Sequence, residues 1–176
     1  MNSTERASTR CDAYDRLLER AGDAPPSGLC TVVDLAWEHL EPTGVSWLGF
    51  YRFRSDDGDL VLDACRDRPA CSPIGLHGVC GQAHRSGRTR IVRDVAILGN
   101  AYVACDPRDR SELVIPCHGR GVDGQPTDYV LDLDSTDLAS FSDEDDRRLR
   151  AYLEACGLEP RREGPVWMDA MEENRA

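Results

Sequence analysis

The chain predicts an α+β domain: a central antiparallel sheet with helices mainly on one face. Three observations point there. An amphipathic stretch at 29–40 precedes the first strand-like run, with Val32, Val33, Ala36 and Leu40 falling on one face. Two pairs of β-branched or aromatic runs, 45–53 with 60–65 and 112–118 with 128–134, are each joined by a polar, Gly-containing connection, as hairpins are. A capping sequence, Ser142-Asp143-Glu144-Asp145, opens a final stripe of Leu149, Tyr152, Leu153 and Cys156. Helices that flank hairpins, rather than alternate with single strands, favour an antiparallel sheet over a parallel one.

In chain order, residues 1–25 read as a polar N-terminal arm with a short amphipathic helix at 12–18, ended by Ala24-Pro25-Pro26. Residues 26–158 form the folded domain. Its first helix stops at Glu41-Pro42-Thr43-Gly44, and Ser55-Asp56-Asp57-Gly58-Asp59 turns the first hairpin. Residues 66–78 read as a loop broken by Pro69, Pro73 and Gly75. A short helix follows at 78–86, stopped by Gly87, and then a strand at 89–95. Residues 96–110 predict a long irregular loop, a kind of segment that often carries function. Residues 159–176 read as a tail, with Trp167 and Met168 either docked or free.

At 176 residues the chain is one domain by length. A formal charge of −11 argues against nucleic acid or an anionic membrane surface as a partner. The start is polar, and no apolar run reaches the roughly 18 residues that a membrane span needs. A cytoplasmic, reducing location is therefore expected, where the 8 cysteines stay thiols and clustered ones read as redox, catalytic or metal-binding. Cys71, Cys80 and Cys105 sit among small residues that leave a sulfur accessible. For these, redox catalysis ranks first, metal binding second and packing third. Cys11, Cys30, Cys65, Cys117 and Cys156 read as small hydrophobes or surface thiols.

Asp132 and Asp134 alternate with Val130, Leu131 and Leu133, so a strand aims both carboxylates at one face. Glu112 opens the neighbouring strand and is placed to complete a cluster of acids. Like charges held close together, and buried, keep a proton near neutral pH. Trp47 and Tyr51, four apart on a strand, also share a face. His77, Cys80 and His84 follow at helical steps; with Cys105 or a carboxylate they form an alternative zinc, iron or copper site.

Six pieces in order resemble the free methionine-(R)-sulfoxide reductases, a family of single-domain GAF proteins. They are Trp47-Leu48-Gly49-Phe50-Tyr51, Pro69-Ala70-Cys71, Gly78-Val79-Cys80-Gly81, Ala104-Cys105-Asp106, Arg110-Ser111-Glu112 and Val130-Leu131-Asp132-Leu133-Asp134. The resemblance spans about 30–155 and implies a GAF-like catalytic domain, a possible homodimer and no bound cofactor. It also implies that Cys105 attacks a sulfoxide sulfur and becomes a sulfenic acid, that Cys71 condenses with it to a disulfide, and that Cys80 is an auxiliary or alternative resolving thiol. Glu112, Asp132 and Asp134 would bind the substrate's amino group and activate the sulfoxide, Trp47 and Tyr51 would enclose its methyl group, and a thioredoxin-like reductant would restore the thiols. The chain departs from the family pattern at Gly75-Leu76-His77, Ala101-Tyr102 and Tyr129. Two rival readings accompany this one: a metalloenzyme on the same scaffold using His77, Cys80 and His84, and a GAF module that binds a small molecule without catalysis.

Overall fold

The computed structural model describes residues 3–101, 106–161 and 163–168. Helix α1 (Ser3–Asp23) leads into α2 (Leu29–Leu40) and a 3-10 turn at Glu41–Thr43. Strands β1 (Trp47–Arg54) and β2 (Asp59–Arg66) form the first hairpin, and α3 (Val79–Ser86) precedes β3 (Arg88–Val92). A 3-10 segment at Val95–Ala101 follows, then the hairpin β4 (Ser111–Arg120) and β5 (Pro126–Ser135). Helix α4 (Asp143–Ala155) and the short strands β6 (Glu159–Pro160) and β7 (Glu163–Met168) complete the order.

The sheet runs β2-β1-β5-β4-β3-β7, with β6 pairing β4 off that path. The fold is α+β as the sequence predicts, but the sheet is mixed, because β3 pairs β7 in parallel. Ten consecutive register pairs lock β4 to β5, from Ser111↔Ser135 to Arg120↔Pro126. That register decides the site, since Glu112 lies opposite Asp134 and Val114 opposite Asp132.

Alternation sorts the side chains onto two faces. Leu48, Phe50, Leu113, Ile115, Leu131 and Leu133 point to the side covered by α1, α2 and α4, where they form the main core. Trp47, Tyr51, Val114 and Val130 point to the opposite side, under α3 and Val95–Leu98. Three helices thus cover one face and the short α3 part of the other, which leaves room for a hollow.

Three expectations change. The short N-terminal helix is a 21-residue one. No breaker interrupts 3–23, and Ala13, Tyr14, Leu17 and Ala21 are fully buried against the core. Arg10 is buried as well; its guanidinium donates to Thr43, to Ser140 and to the Asp145 carboxylate. The strand expected at 89–95 stops at Val92, because the Asp94 carboxylate accepts from the Ala96 N–H and turns the chain into the 3-10 segment. Part of the expected tail is sheet: Trp167 stacks under Arg93 at 4.4 Å and Met168 is buried. Gly164 and Pro165 break the alternation by which β7 would have been read. Among the described residues, no helix is long and apolar enough to cross a membrane.

Candidate active site

A hollow opens on the α3 side of the sheet, enclosing about 480 Å³ with the solvent at its mouth included. Its floor is strand-borne: Trp47 from β1, Glu112 from β4, Asp132 and Asp134 from β5. In the register Trp47 lies opposite Asp134, and Asp134 opposite Glu112, so one row across three strands carries an aromatic and two acids. Gly49 lies opposite Asp132. A Cβ at Gly49 would stand 2.5 Å from the Trp47 ring, so the bare backbone there lets the indole fold over the strand. Tyr51 completes the wall, its ring centroid 6.1 Å from that of Trp47. The aspartate pair with Glu112 and the aromatic pair, which the sequence left as separate groupings, line this one hollow together.

The walls are fixed from behind. Trp47 Nε1 donates to the Arg68 carbonyl at 2.9 Å, and the Tyr51 hydroxyl to the Cys71 carbonyl at 3.0 Å. Both bonds tie the loop between β2 and α3 to the floor. On the other rim α3 packs so tightly that a Cβ at Gly81 would meet the Leu76 carbonyl at 2.1 Å. This close approach presents Gly78, Val79 and Cys80 to the hollow at the start of α3, whose N-cap Gly78 offers no side-chain cap. The first N–H groups of a helix without such a cap favour a negative group.

Two of the acids are out of water, and Asp134 is partly buried. Glu112 is 5% exposed and Asp132 7%, and Glu112 Oε2 and Asp132 Oδ1 have no hydrogen-bond partner. Burial, then the charge of Asp132, pushes the Glu112 carboxyl well above the ordinary range. Burial, then Asp132 and Glu112, does the same to Asp134. Burial raises Asp132 to about 7, opposed by the hydrogen bond that Cys80 donates to its Oδ2 at 3.4 Å. Burial followed by the charges of Asp132 and Glu112 holds the Cys80 thiol well above its usual range. Asp109, which the sequence did not single out, adds negative charge to the cluster and accepts from Ser46. Nothing in its local pattern separates it from other loop aspartates.

The cysteines are dispersed. Cys80 is buried in the acid corner, and Cys71 is exposed beside Ala70, which lines the hollow. Cys105 lies outside the described residues. The structure does not assemble His77, Cys80 and His84 into one group. His77 is exposed in the turn before α3, and His84 stacks on the Phe53 ring with centroids 4.2 Å apart. Cys80, Glu112 and Asp132 instead offer atoms within 4.8 Å of one another, close enough to converge on one cation.

This chain is 36% identical over 158 residues to the free methionine-R-sulfoxide reductase of Escherichia coli, covering 87% of either chain. The chain belongs to the free methionine-R-sulfoxide reductase family. It is thus similar to oxidoreductases, and its fold is that of a solved GAF domain, which superposes with a TM-score of 0.67 at 25% identity over 84% of this chain and 89% of that one. The reductase of Neisseria meningitidis in complex with its substrate superposes with a TM-score of 0.65 at 28% identity, over 89% of this chain and 93% of that one. The reduced Staphylococcus aureus enzyme gives 0.67 at 29%, over 81% and 92%. No family model matches the chain. Within the reductase family, the acid corner under an aromatic wall is the feature of this chain that its register explains directly.

Proposed function

We propose that this chain reduces free methionine-(R)-sulfoxide to methionine at the hollow over β1, β4 and β5. One observation carries the reading: two buried carboxyls, Glu112 and Asp132, and the partly buried Asp134 share a corner with an aromatic wall and the start of a helix. An ionised member of the trio pairs with the substrate's ammonium, while the first N–H groups of α3 receive its carboxylate. Such a site favours a free amino acid, because a peptide-linked residue lacks both charges. Trp47 and Tyr51 enclose the apolar methyl sulfoxide.

Cys105 serves as the nucleophile. Its sulfur takes the oxygen: sulfoxide plus thiol give thioether plus sulfenic acid. A protonated member of the trio hydrogen-bonds the sulfoxide oxygen as the S–O bond breaks, so the oxygen departs without full negative charge. Cys71 then condenses with the sulfenic acid, releasing water and forming a disulfide. A thioredoxin-like dithiol reduces that disulfide by exchange, and no prosthetic group takes part. The trio's raised pKa values support the protonated role. The exposure of Cys71 supports its part as the resolving thiol, and the burial of Cys80 beside carboxylates supports an auxiliary one. The reaction fits a reducing compartment such as the cytoplasm, and a homodimer is the assembly the family suggests.

The test is turnover of both methionine sulfoxide epimers with dithiothreitol or thioredoxin, products read by mass spectrometry. Loss of (R)-epimer turnover in Cys105→Ser is expected. Full activity in that variant would refute the nucleophile assignment.

A further inference from the structure

The loop between β2 and α3 carries Cys71, and the segment between β3 and β4 carries Asp106, which follows Cys105 in the chain. One side chain links them. The Arg68 guanidinium is ion-paired with Asp106 through Nη2 and Oδ2. Asp106 is also gripped by Arg108, which donates from its backbone N–H at 2.9 Å and from Nη2 at 2.7 Å. The Arg68 carbonyl meanwhile receives the Trp47 indole N–H at 2.9 Å and the Cys65 thiol at 3.4 Å. Arg68 is therefore held by its main chain to the floor of the hollow and by its side chain to the opposite loop.

We propose that Arg68 is a positioning residue for disulfide formation: its ion pair with Asp106 holds the Cys71 loop against the segment that follows Cys105. The proposal rests on the functional reading above. In the step it serves, the Cys71 thiol attacks the sulfenic sulfur at position 105. The S–O bond breaks, an S–S bond forms, and the oxygen leaves as water with the proton of the thiol. Attack of this kind is fast when the two sulfurs are held together and falls steeply when they are not. The Arg68 side chain is 37% exposed and that of Asp106 11%, so the pair adds little to global stability and its effect is kinetic.

The experiment is a single turnover with no reductant, quenched in time, on the full chain and its Arg68→Ala, Arg68→Lys and Asp106→Asn variants. Methionine released, sulfenic acid trapped by dimedone and disulfide are each measured by mass spectrometry. Arg68→Ala and Asp106→Asn should release methionine at rates within about threefold of the parent, yet form the disulfide about tenfold or more slowly and accumulate the dimedone adduct. Arg68→Lys should recover part of the disulfide rate, and 1 M salt should slow the parent toward the alanine variant. A merely structural role would lower the melting temperature without changing the partition between adduct and disulfide. Disulfide formation at the parental rate in Arg68→Ala overturns the proposal. If the parent itself releases no methionine, the functional reading fails first and this inference falls with it.

Discussion

Asp132 is the residue at which stability and activity oppose each other. Its carboxyl titrates at about 7 in the folded chain against 3.8 ordinarily, with burial the main cause. Between those values the native state holds a proton that the unfolded state has released. Stability from this group is therefore full below pH 3.8, falls as pH rises, and is lost above about 7. Asp132→Asn removes that loss while keeping the side chain's shape. The variant should gain about 1–3 kcal/mol over the parent at pH 8 and show little difference at pH 4, as urea unfolding at the two values would show. Its turnover should also drop, by about 10²–10⁴, because an amide neither carries a charge nor gives up a proton. Glu112 and Asp134 are raised further, so Asp132 ionises first and the trio keeps a protonated member; turnover of the parent should therefore persist to pH 8. A variant as unstable as the parent at pH 8 would mean that Asp132 does not bear the burial cost assigned to it. The thiols divide by the same physics: Cys71 is exposed and should alkylate with iodoacetamide well before Cys80, whose burial beside Asp132 disfavours the thiolate. Equal labelling rates by peptide mapping would contradict the closed acid corner.

At the scale of elements, α2 is legible to the residue in the sequence, because Pro25-Pro26 and Glu41-Pro42 bracket an uninterrupted stripe. The start of α4 is equally plain. Ser142 and Asp145 close the capping box, with the Asp145 carboxylate accepting from the Ser142 N–H at 2.9 Å. The same carboxylate has a second task that no local pattern carries: it receives Tyr14 at 2.9 Å and Arg10 at 3.4 Å from a helix more than 130 positions away. The sequence therefore understates α1, whose anchor is a buried ion pair made only in the folded chain. Asp145→Ala should cost about 3–5 kcal/mol, because it removes a cap and leaves the Arg10 charge buried without its carboxylate. Chemical denaturation measures that loss. A cost under about 1 kcal/mol would show that α1 is held by its apolar stripe alone. The acid cluster was legible because a two-residue period and one register suffice to gather Glu112, Asp132 and Asp134. The link from Arg68 to Asp106 was not, because it joins two loops whose path no periodicity describes.

For the whole molecule, the question is where the folded unit ends on the C-terminal side. The sequence suggests a tail from 159, yet 163–168 form a strand that lies parallel to β3, from Arg88↔Glu163 to Val92↔Met168. The connection between α4 and that strand is stitched across the sheet. The Arg161 N–H donates to the Pro116 carbonyl at 2.9 Å, its guanidinium reaches the His84 carbonyl at 2.8 Å, and Trp167 Nε1 donates to Asp143 at 3.0 Å. Met168 is buried in the cluster that also contains Trp47, Tyr51 and Cys80, so the far edge of the sheet supports the layer that walls the hollow. Removing this segment unpairs β3 along its edge, bares the Met168 site and frees the start of α4 from Trp167. Loss of a buried Met alone costs about 2–5 kcal/mol, so a chain ending at 158 should melt roughly 6–15 °C below the full chain, with turnover reduced as well. Scanning calorimetry of the two chains decides the point. If the shorter chain melts within about 2 °C of the longer one, the edge strand adds nothing and the unit closes at α4.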